Sequence, residues 1–338
     1  MRYSQAEKME VIRLVEESAL SVRRTLAELG INRSTFYEWY HRYNENGYEG
    51  LADRKPRPRK FWNRIPPLVK DQVVDIALDK TDLSPRELAW HITDTYSYYI
   101  SESSVYRILQ SYDLITSPAY IVVSAADNFK QPTKGVHELW QTDFSYFRIV
   151  GWGWYYLSTV MDDYSRYILA WKLSANMAAT DVIETLDMAR NLTGIDRVRV
   201  HHKPRLLSDN GPCYLSKDLK AYLEDRGMKH TRGARYHPQT QGKIERYHRS
   251  MKNVINLQHY YLPGELEQEI ARFVEHYNNH RYHESLDNLT PADVYFGKKK
   301  ERLSLRAMIK HETLKMRRLY NLGNGGLKKQ LRILKSTP

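Results

Sequence analysis

Three acidic residues lie in sequence contexts where a carboxylate is unusual and could do chemistry. Asp143 lies in the middle of the strand-like segment WQTDFSYF, where aspartate is disfavoured. Asp209 follows the apolar residues of LLSDNG, and Glu245 lies in the basic segment GKIERYHRSMK. Carboxylate oxygens suit Mg²⁺, and an interior carboxylate needs a partner. These acids are therefore the first candidates for a reactive site.

The segment around Glu245 predicts a surface that binds anions. Residues 229–252 contain seven Lys or Arg residues and a single carboxylate. A stretch of this kind favours phosphate, which a lone glutamate would repel. Two of the acids have simpler interpretations: Asp209 as the cap of a turn, and Glu245 as an ion pair with Arg249 one helical turn away. Asp143 is harder to explain, because a carboxylate inside a strand needs a buried partner.

The elements that would carry these acids form an alternating pattern. Aromatic and β-branched residues in 138–149 and 153–174 predict strands separated by the turn VGWGW. Helices are predicted over 178–192, 216–227 and 239–258, with short strands ending at LLSDNG and lying around 229–231. Hairpin strands followed by alternating helices and strands predict a mixed sheet flanked by helices. In the first strand, alternation places Asp143 on the same face as Ser145 and Phe147.

The predicted helix over 239–258 separates apolar from polar side chains. Its apolar stripe consists of Ile244, Tyr247, Met251, Val254 and Ile255. The other side carries Gln241, Glu245, His248, Arg249 and Lys252. This pattern places Glu245 on the polar side of the helix, among cations.

The N-terminal half contains two predicted helical modules. A helix over 5–18 precedes SVRRTLAELGINRSTFYEWYHRYNENG, which has the helix, glycine turn and helix of a helix-turn-helix unit. The predicted core of this unit is Leu26, Leu29, Ile31 and Phe36. A similar unit follows, with helices over 66–78, 84–96 and 101–115. Two such modules in tandem favour DNA binding over a chance resemblance.

The residues predicted to contact DNA in this half lie at helix starts and in the linker between the modules. In the first module they are Arg23, Arg24, Arg33, Ser34, Thr35 and Tyr37, and in the second Ser103, Ser104, Tyr106 and Arg107. The linker contains prolines and carries Arg54, Lys55, Arg57, Arg59 and Lys60. An extended basic arm of this type can follow a minor groove or the phosphate backbone.

Charge and composition narrow the class of protein. The 338 residues carry a net charge of +12, and residues 298–338 alone carry a net +11. A basic tail on a near-neutral body predicts a polyanionic partner such as nucleic acid, or a membrane surface. The only cysteine is Cys213, which excludes an intrachain disulfide and a Cys-rich zinc site. Neither a signal peptide nor a membrane-spanning segment is evident, so we expect a soluble intracellular protein.

Taken together, the motifs resemble the catalytic core of bacterial insertion-sequence transposases in the retroviral-integrase-like DDE superfamily. The motifs, in the family's order, are WQTDFSYF, STVMDDYSRYILAW, LLSDNGPCY, YHPQTQGKIERYHRSMK and HYNNHRYHESLDNLTPADVYFG. Thirty-five residues separate Asp209 from Glu245, which fits the D,D-35-E spacing of that group. The sequence departs from retroviral integrases, whose N-terminal zinc domain needs a His/Cys pair that one cysteine cannot supply.

The resemblance implies an α/β RNase H-like catalytic domain with a five-stranded mixed sheet, preceded by all-α helix-turn-helix modules. It implies that Asp143, Asp209 and Glu245 are the catalytic metal ligands for two Mg²⁺ ions, with Mn²⁺ as a substitute. Phosphodiester chemistry of this kind uses two cations about 3.5–4 Å apart, at the attacking and leaving oxygens. The implied reaction is nicking at a transposon end, followed by attack of the new 3′-OH on another phosphodiester.

The resemblance also implies further DNA contacts and a domain organisation. His237, Gln239 and Gln241 would lie near the scissile phosphate, and Lys243, Arg246, Arg249 and Lys252 would hold the backbone. The predicted domains are 1–50 and 66–116 (DNA-binding modules), 51–65 and 117–134 (linkers), 135–297 (catalytic core) and 298–338 (basic tail). The tail has helical stretches, and its sequence leaves open a DNA-gripping element or a subunit contact.

The implied partners are double-stranded DNA and further copies of the chain. The DNA would be the terminal inverted repeats of the transposon and its target. Because two DNA ends must be brought together, a homodimer or a higher homo-oligomer is expected. A cytoplasmic, nucleoid-associated location follows from this interpretation.

Several residues and functions compete with this interpretation. Asp162 and Asp163 are further acids, but they lie where a strand meets a turn, and the family has them there without a metal role. The spacing of His276, His280 and His283 could bind zinc, although in the family this stretch closes the core. The alternative functions are a non-catalytic DNA-binding regulator derived from a transposase, and a nuclease that cuts without joining. The intact acids argue against the first, and the two helical modules argue against the second.

Overall fold

The chain divides into two compact units, Met1–Phe61 and Trp62–Pro338. The computed structural model describes residues 3–53, 61–115, 133–197, 203–233 and 242–322. Helices in these ranges are too short or too polar to cross a membrane.

The first unit consists of three helices and a short 3₁₀ turn. These are α1 (Gln5–Glu17), α2 (Val22–Glu28), α3 (Arg33–Asn46) and the turn Tyr48–Leu51. Gly30, with a φ of +64°, supplies the left-handed residue between α2 and α3. The predicted core residues Leu26, Ile31 and Phe36 are buried, so the helix-turn-helix prediction is confirmed for them. Leu29 was predicted wrongly: it ends α2 at the turn and is 36% exposed.

The second unit begins with another three-helix module. Its helices are α4 (Pro67–Asp79), α5 (Pro85–Tyr96) and α6 (Glu102–Ser111). Ser84 caps α5, because its hydroxyl accepts from the backbone N–H of Glu87 while the Glu87 carboxylate accepts from the backbone N–H of Ser84. Buried side chains from all three helices, among them Val73, Ile92 and Ile108, form one apolar core. The three predicted helices are confirmed, although α6 ends earlier than expected.

A five-stranded mixed sheet follows, as predicted. Its strands are β1 (Leu139–Ile149), β2 (Gly153–Asp162), β3 (Ile168–Ser174), β4 (Arg205–Ser208) and β5 (His230–Arg232). They are ordered β3-β2-β1-β4-β5, with β1, β2 and β3 antiparallel and β1, β4 and β5 parallel. The central position of β1 therefore places the middle of WQTDFSYF inside the sheet.

Helices cover both faces of this sheet. They are α7 (Ala179–Thr193), α8 (Lys217–Asp225), α9 (Gly242–Ile255) and α10 (Pro263–Asn279). Phe147 and Ile149 of β1 belong to the core formed with α9 and α10. Trp140 belongs to the opposite core, formed with α7 and α8. The predicted alternation of β1 is thus confirmed, and Asp143 lies on the face that packs against α9.

The chain ends, within the described residues, in two helices, α11 (Pro291–Tyr295) and α12 (Lys299–Leu322). The long helix α12 packs back on the three-helix module of this unit. Arg306 of α12 is 5% exposed and makes two hydrogen bonds to the carboxylate of Asp94 in α5, at 2.8 and 2.6 Å. It also donates to the carbonyls of Asp287 and Asn288, so one guanidinium ties α5, α12 and the segment before α11 together.

Candidate active site

The parallel pairing of β1 and β4 brings two of the predicted acids to the same level. Gln141 of β1 is paired with Leu207 of β4. Asp143 and Asp209 each lie two residues beyond this pair, and Asp209 directly follows the end of β4. Since parallel strands run in the same direction, both carboxylates are presented side by side at this position of the sheet.

The third acid is brought by α9. Glu245 lies in its first turn, and the helix packs on β1 through Ile244, Tyr247 and Met251. Glu245 and Asp143 line one cleft of about 380 Å³, which also contains the cations Arg249 and Lys252, with His248 and Asn253. Asp143 therefore stands between Asp209 on the neighbouring strand and Glu245 on the helix.

Asp143 is coupled electrostatically to each of the other two acids. Partial burial raises the pKa of Asp209, and the negative charge of Asp143 raises it further. Partial burial also raises the pKa of Glu245, again with a contribution from Asp143, while Arg249, His248 and Arg246 oppose the shift. Asp143 thus destabilises the charge of both other acids, and a cation placed among them would relieve this repulsion.

A buried ion pair anchors the start of α9. The ammonium of Lys243 lies 2.7 Å from the Oδ2 atom of Asp163, and their side chains are 11% and 1% exposed. The other oxygen of Asp163 accepts from the side-chain amide of Gln141 at 2.6 Å. Gln141 in turn accepts from the backbone N–H of Ile244 at 3.2 Å. These bonds hold Lys243 and Ile244 against β1 and against the residue that follows β2. They thereby position the next residue, Glu245.

This anchor corrects one predicted DNA contact. Lys243 was expected to hold the DNA backbone, but its ammonium is directed to the buried carboxylate of Asp163 and to the carbonyl of the same residue. An ion pair so far removed from solvent cannot be exchanged for a phosphate contact without leaving Asp163 unpaired. The structure therefore assigns Lys243 to positioning α9.

His248 is the residue that sequence reasoning missed. It was placed on the polar side of α9, but it is 6% exposed, and its Nδ1 atom lies 3.2 Å from Oδ2 of Asp143. Its Nε2 atom lies 3.5 Å from the hydroxyl of Thr159 on β2. Val254 was placed in the apolar stripe and is instead 47% exposed. The spacing of His248 three residues after Glu245, on the same side of the helix, was the available signal.

The acids and histidines that competed for a metal role have structural roles. Asp162 is fully buried and accepts from the backbone N–H groups of His137 and Ser165 and from the Ser165 hydroxyl. Burial raises the pKa of Asp162. The spacing of His276, His280 and His283 does not produce a metal site, since no group of three His, Cys, Asp or Glu side chains in the described ranges is placed to hold a metal ion. The same finding applies to Asp143, Asp209 and Glu245 as they are placed in this structure. His283 packs instead against the ring of Tyr277.

The other predicted DNA contacts on α9 lie at the surface. Arg246 and Arg249 are exposed, and both affect the pKa of Glu245. The Lys252 ammonium lies 4.0 Å from the ring centre of Tyr146, so the aromatic face holds it at the edge of the cleft. His237, Gln239 and Gln241 lie outside the described residues.

The predicted DNA contacts in the two helical modules are also accessible. In the first unit Arg23, Arg24, Arg33, Ser34 and Tyr37 are exposed and Thr35 is half-buried; in α6, Ser103 and Arg107 are exposed, and Ser104 and Tyr106 half-buried. Arg33 stacks over the ring of Tyr37 at 5.5 Å. The linker cations Arg54, Lys55, Arg57, Arg59 and Lys60 lie outside the described residues. These contacts remain predictions.

Protein-family models match both the part of the chain that contains the sheet and the part that contains the helical modules. Two family models, both described as "Integrase core domain", match residues 134–238 and 226–291. A third, described as "Helix-turn-helix domain", matches residues 7–59, and a fourth, described as "Homeodomain-like domain", matches residues 35–109. The strands and α9 lie in the matches to the integrase core, and the helical modules lie in the other two.

Individual proteins are also similar to this chain. The chain is 29% identical over 162 residues to the transposase for insertion sequence element IS629 of Shigella sonnei, covering 46% of this chain and 51% of the relative. It is 27% identical over 161 residues to the transposase for IS904 of Lactococcus lactis, covering 60% of the relative. Among solved structures, the HTLV-2 integrase catalytic core domain in complex with magnesium matches 48% of this chain and 97% of that chain, with 21% identity and a TM-score of 0.38. The matches thus span only about half to three fifths of the transposase relatives.

Proposed function

The chain belongs to the integrase-like superfamily of insertion-sequence transposases, and from this premise we propose that it cleaves and joins DNA. In detail, we propose a DDE transposase that binds the terminal inverted repeats of its element. It would nick the element's end and use the resulting 3′-OH to attack a second phosphodiester. Asp143, Asp209 and Glu245 would be its catalytic residues.

One observation carries this proposal above the others. The parallel register of β1 and β4 sets Asp143 level with Asp209, and Asp143 shares a cleft with Glu245 of α9. Asp143 thus lies near each of the other two acids, and Arg249 and Lys252 line the cleft that it shares with Glu245. A purely structural role would not require carboxylates that raise the pKa of one another beside cations suited to phosphate.

The donor atoms of these side chains, although not their spacing in this structure, suit a divalent cation. All three offer carboxylate oxygens, the ligands that Mg²⁺ and Mn²⁺ prefer. Such a cation would supply Lewis-acid polarisation of the phosphodiester oxygens and would stabilise the charge of attacking and leaving oxygens. The raised pKa values of Asp209 and Glu245 fit the same role, because repulsion from Asp143 is the feature that a cation would cancel.

The remaining residues of the cleft would position the acids and the DNA. His248 would hold Oδ2 of Asp143 by its Nδ1 hydrogen bond, leaving the carboxylate with one defined orientation. Arg249 and Lys252, on the same cleft, would bind non-bridging phosphate oxygens on either side of the reacting group. The Lys243–Asp163 anchor would keep Glu245 facing Asp143 during these steps.

The proposed reaction also sets the partners. The two helical modules would bind duplex DNA at the element's ends, and two copies of the chain would hold two ends together. The place of action would be the bacterial cytoplasm, on the chromosome.

A strand-transfer assay tests the proposal. Labelled duplexes from the DNA that flanks this gene would be incubated with the full chain, Mg²⁺ and a circular target. We expect nicked and joined products from the unaltered chain, and neither from Asp143→Asn or Glu245→Gln. Asp218→Asn, an exposed acid in α8, is the matched control and should retain activity.

The other outcomes separate the alternatives. Hydrolysis without joining would indicate a nuclease. Binding of the duplex with neither cleavage nor joining would indicate a DNA-binding regulator and overturn the catalytic proposal. Products that persist in Asp143→Asn would show that the reaction occurs at another site.

A further inference from the structure

A second basic groove lies in the larger unit, between α12 and the module formed by α4, α5 and α6. It has a volume of about 560 Å³ and shares no lining residue with the carboxylate cleft. Its lining includes Arg64 before α4, Lys70 of α4, Arg107 of α6, and Lys310 and Arg317 of α12. Acidic residues do not line it within the described part of the chain. Five cations from four separate segments thus converge on one concave surface.

Arg317 forms the floor of this groove. It is 3% exposed, and within the described ranges its hydrogen bonds go to neutral groups: the Tyr98 hydroxyl, the Tyr99 carbonyl and the Asn63 side chain, at 2.8, 2.6 and 3.3 Å. These bonds use three of the five N–H groups of the guanidinium. Burying a cation without a counter-charge is unfavourable. An anion bound in the groove would supply the missing negative charge.

The cations at the rim are available to a ligand. Arg64, Arg107 and Lys310 are exposed and Lys70 is half-buried. Across the described residues, none of the four forms an ion pair with a carboxylate. The Lys310 ammonium lies 5.0 Å from the ring centre of Tyr99, which holds it on the groove side of α12.

The groove exists because α12 is fastened to the module. The Thr313 hydroxyl accepts from the backbone N–H of Tyr99 at 3.0 Å. The Asn321 side chain donates to the carbonyls of Trp62 and Arg64, both at 2.9 Å. Together with the Arg306–Asp94 pair, these bonds run along the whole helix. The described part of the basic tail is therefore a wall of this groove, built within one chain.

We propose that this groove binds the phosphate backbone of duplex DNA, so that α12 and the second module form one composite DNA-binding surface. Charge selects a polyanion, and Arg107 connects the groove to the neighbouring surface of Ser103 and Tyr106, two residues predicted to contact DNA. Backbone contacts carry no sequence preference, so the groove would strengthen binding and set the orientation of the DNA. The proposal rests on the proposed function for its ligand and adds the site and the residues.

The test measures duplex binding by single substitutions on opposite walls of the groove. The full chain would be titrated against a fluorescent duplex of random sequence at several salt concentrations, without divalent cation. We expect Lys310→Gln and Arg64→Gln each to weaken binding by about threefold to tenfold and to lower the salt slope by about one. Lys315→Gln is the matched control, because Lys315 is an exposed lysine of the same helix that does not line the groove.

The result that overturns the proposal is equal affinity and equal salt slope for Lys310→Gln, Arg64→Gln and Lys315→Gln. In that case duplex DNA is not the ligand, and an acidic protein segment is the remaining kind of anion that suits the groove. Failure here is distinguishable from failure of the proposed function. Strand transfer with unchanged binding by the groove variants would reject the groove alone, whereas weakened binding in a chain that joins no DNA would reject the catalytic proposal alone.

Discussion

Replacing Asp163 by asparagine should destabilise the second unit, Trp62–Pro338, without changing any of the three acids of the proposed site. The side chain of Asp163 is 1% exposed and its partner Lys243 is 11% exposed. The substitution removes the negative charge of Asp163 from the Lys243 ammonium, and breaking comparable buried pairs costs about 3–5 kcal/mol. It also places an amide where Asp163 now accepts from Thr133, Gln141 and Lys243. We therefore expect a loss of unfolding free energy of about 3 kcal/mol or more.

The double-mutant cycle with Lys243→Met isolates the ion pair. Urea unfolding of Asp163→Asn, Lys243→Met and the double variant would be followed by tryptophan fluorescence. Because each single variant removes the same ion pair, the double variant should be less destabilised than the sum of the two, by about 1–3 kcal/mol. Additive effects, or a loss below about 1 kcal/mol for Asp163→Asn, would show that the pair does not anchor α9.

Three more substitutions test other parts of the site. His248→Asn should lower the strand-transfer rate while leaving duplex binding unchanged, because it removes the hydrogen bond that orients Asp143; unchanged rates would refute that role. Burial and the charge of Arg281 hold the pKa of His283 at about 3. As the pH falls, His283 therefore binds a proton in the unfolded chain before it does so in the folded chain, which favours unfolding. This lowers the free energy of unfolding by about 2 kcal/mol between pH 7 and pH 5. His283→Gln should remove that loss in urea titrations, and an unchanged pH dependence would contradict this. Lys252→Ala should weaken binding evenly across duplex sequences and lower the salt slope by about one in anisotropy titrations, and a sequence-dependent loss would contradict a backbone contact.

The sequence predicted the sheet and most helices because their periodic patterns are strong and local. Asp143 was recognisable since aspartate in a strand centre is unfavourable on its own. The parallel pairing of β1 with β4 joins residues 66 positions apart, and no local pattern encodes the register that sets Asp143 level with Asp209. Only the structure shows that Asp143 and Asp209 lie at the same level of the sheet.

The errors on α9 have one physical cause. Helical periodicity assigns side chains to faces, but it does not state what approaches each face. His248 and Lys243 lie beside polar groups of β1 and of the turn after β2, so a polar side chain there becomes buried by pairing. Val254 lies near the end of the helix, where the described part of the chain leaves it 47% exposed. The contacts that other elements make with α9 thus explain why these side chains depart from the simple periodic pattern.

The sequence alone also did not establish the role of the basic tail. Its sequence left open a DNA-gripping element or a subunit contact. The structure shows that Arg306 and Arg317 are buried within the chain, whereas Lys310 remains at the surface of a groove. Only the fold of α12 against α5 and α6 could separate buried from available cations.

The central claim is that Asp143, Asp209 and Glu245 form one catalytic site, and Asp209→Asn tests it most directly. Asp209 does not line the cleft of the other two acids, and it is linked to Asp143 through the strand register and electrostatic coupling. In the strand-transfer assay with Mg²⁺, Asp209→Asn should form no joined product while binding the labelled duplex as tightly as the unaltered chain. Joined product from Asp209→Asn at the rate of the unaltered chain would contradict the claim.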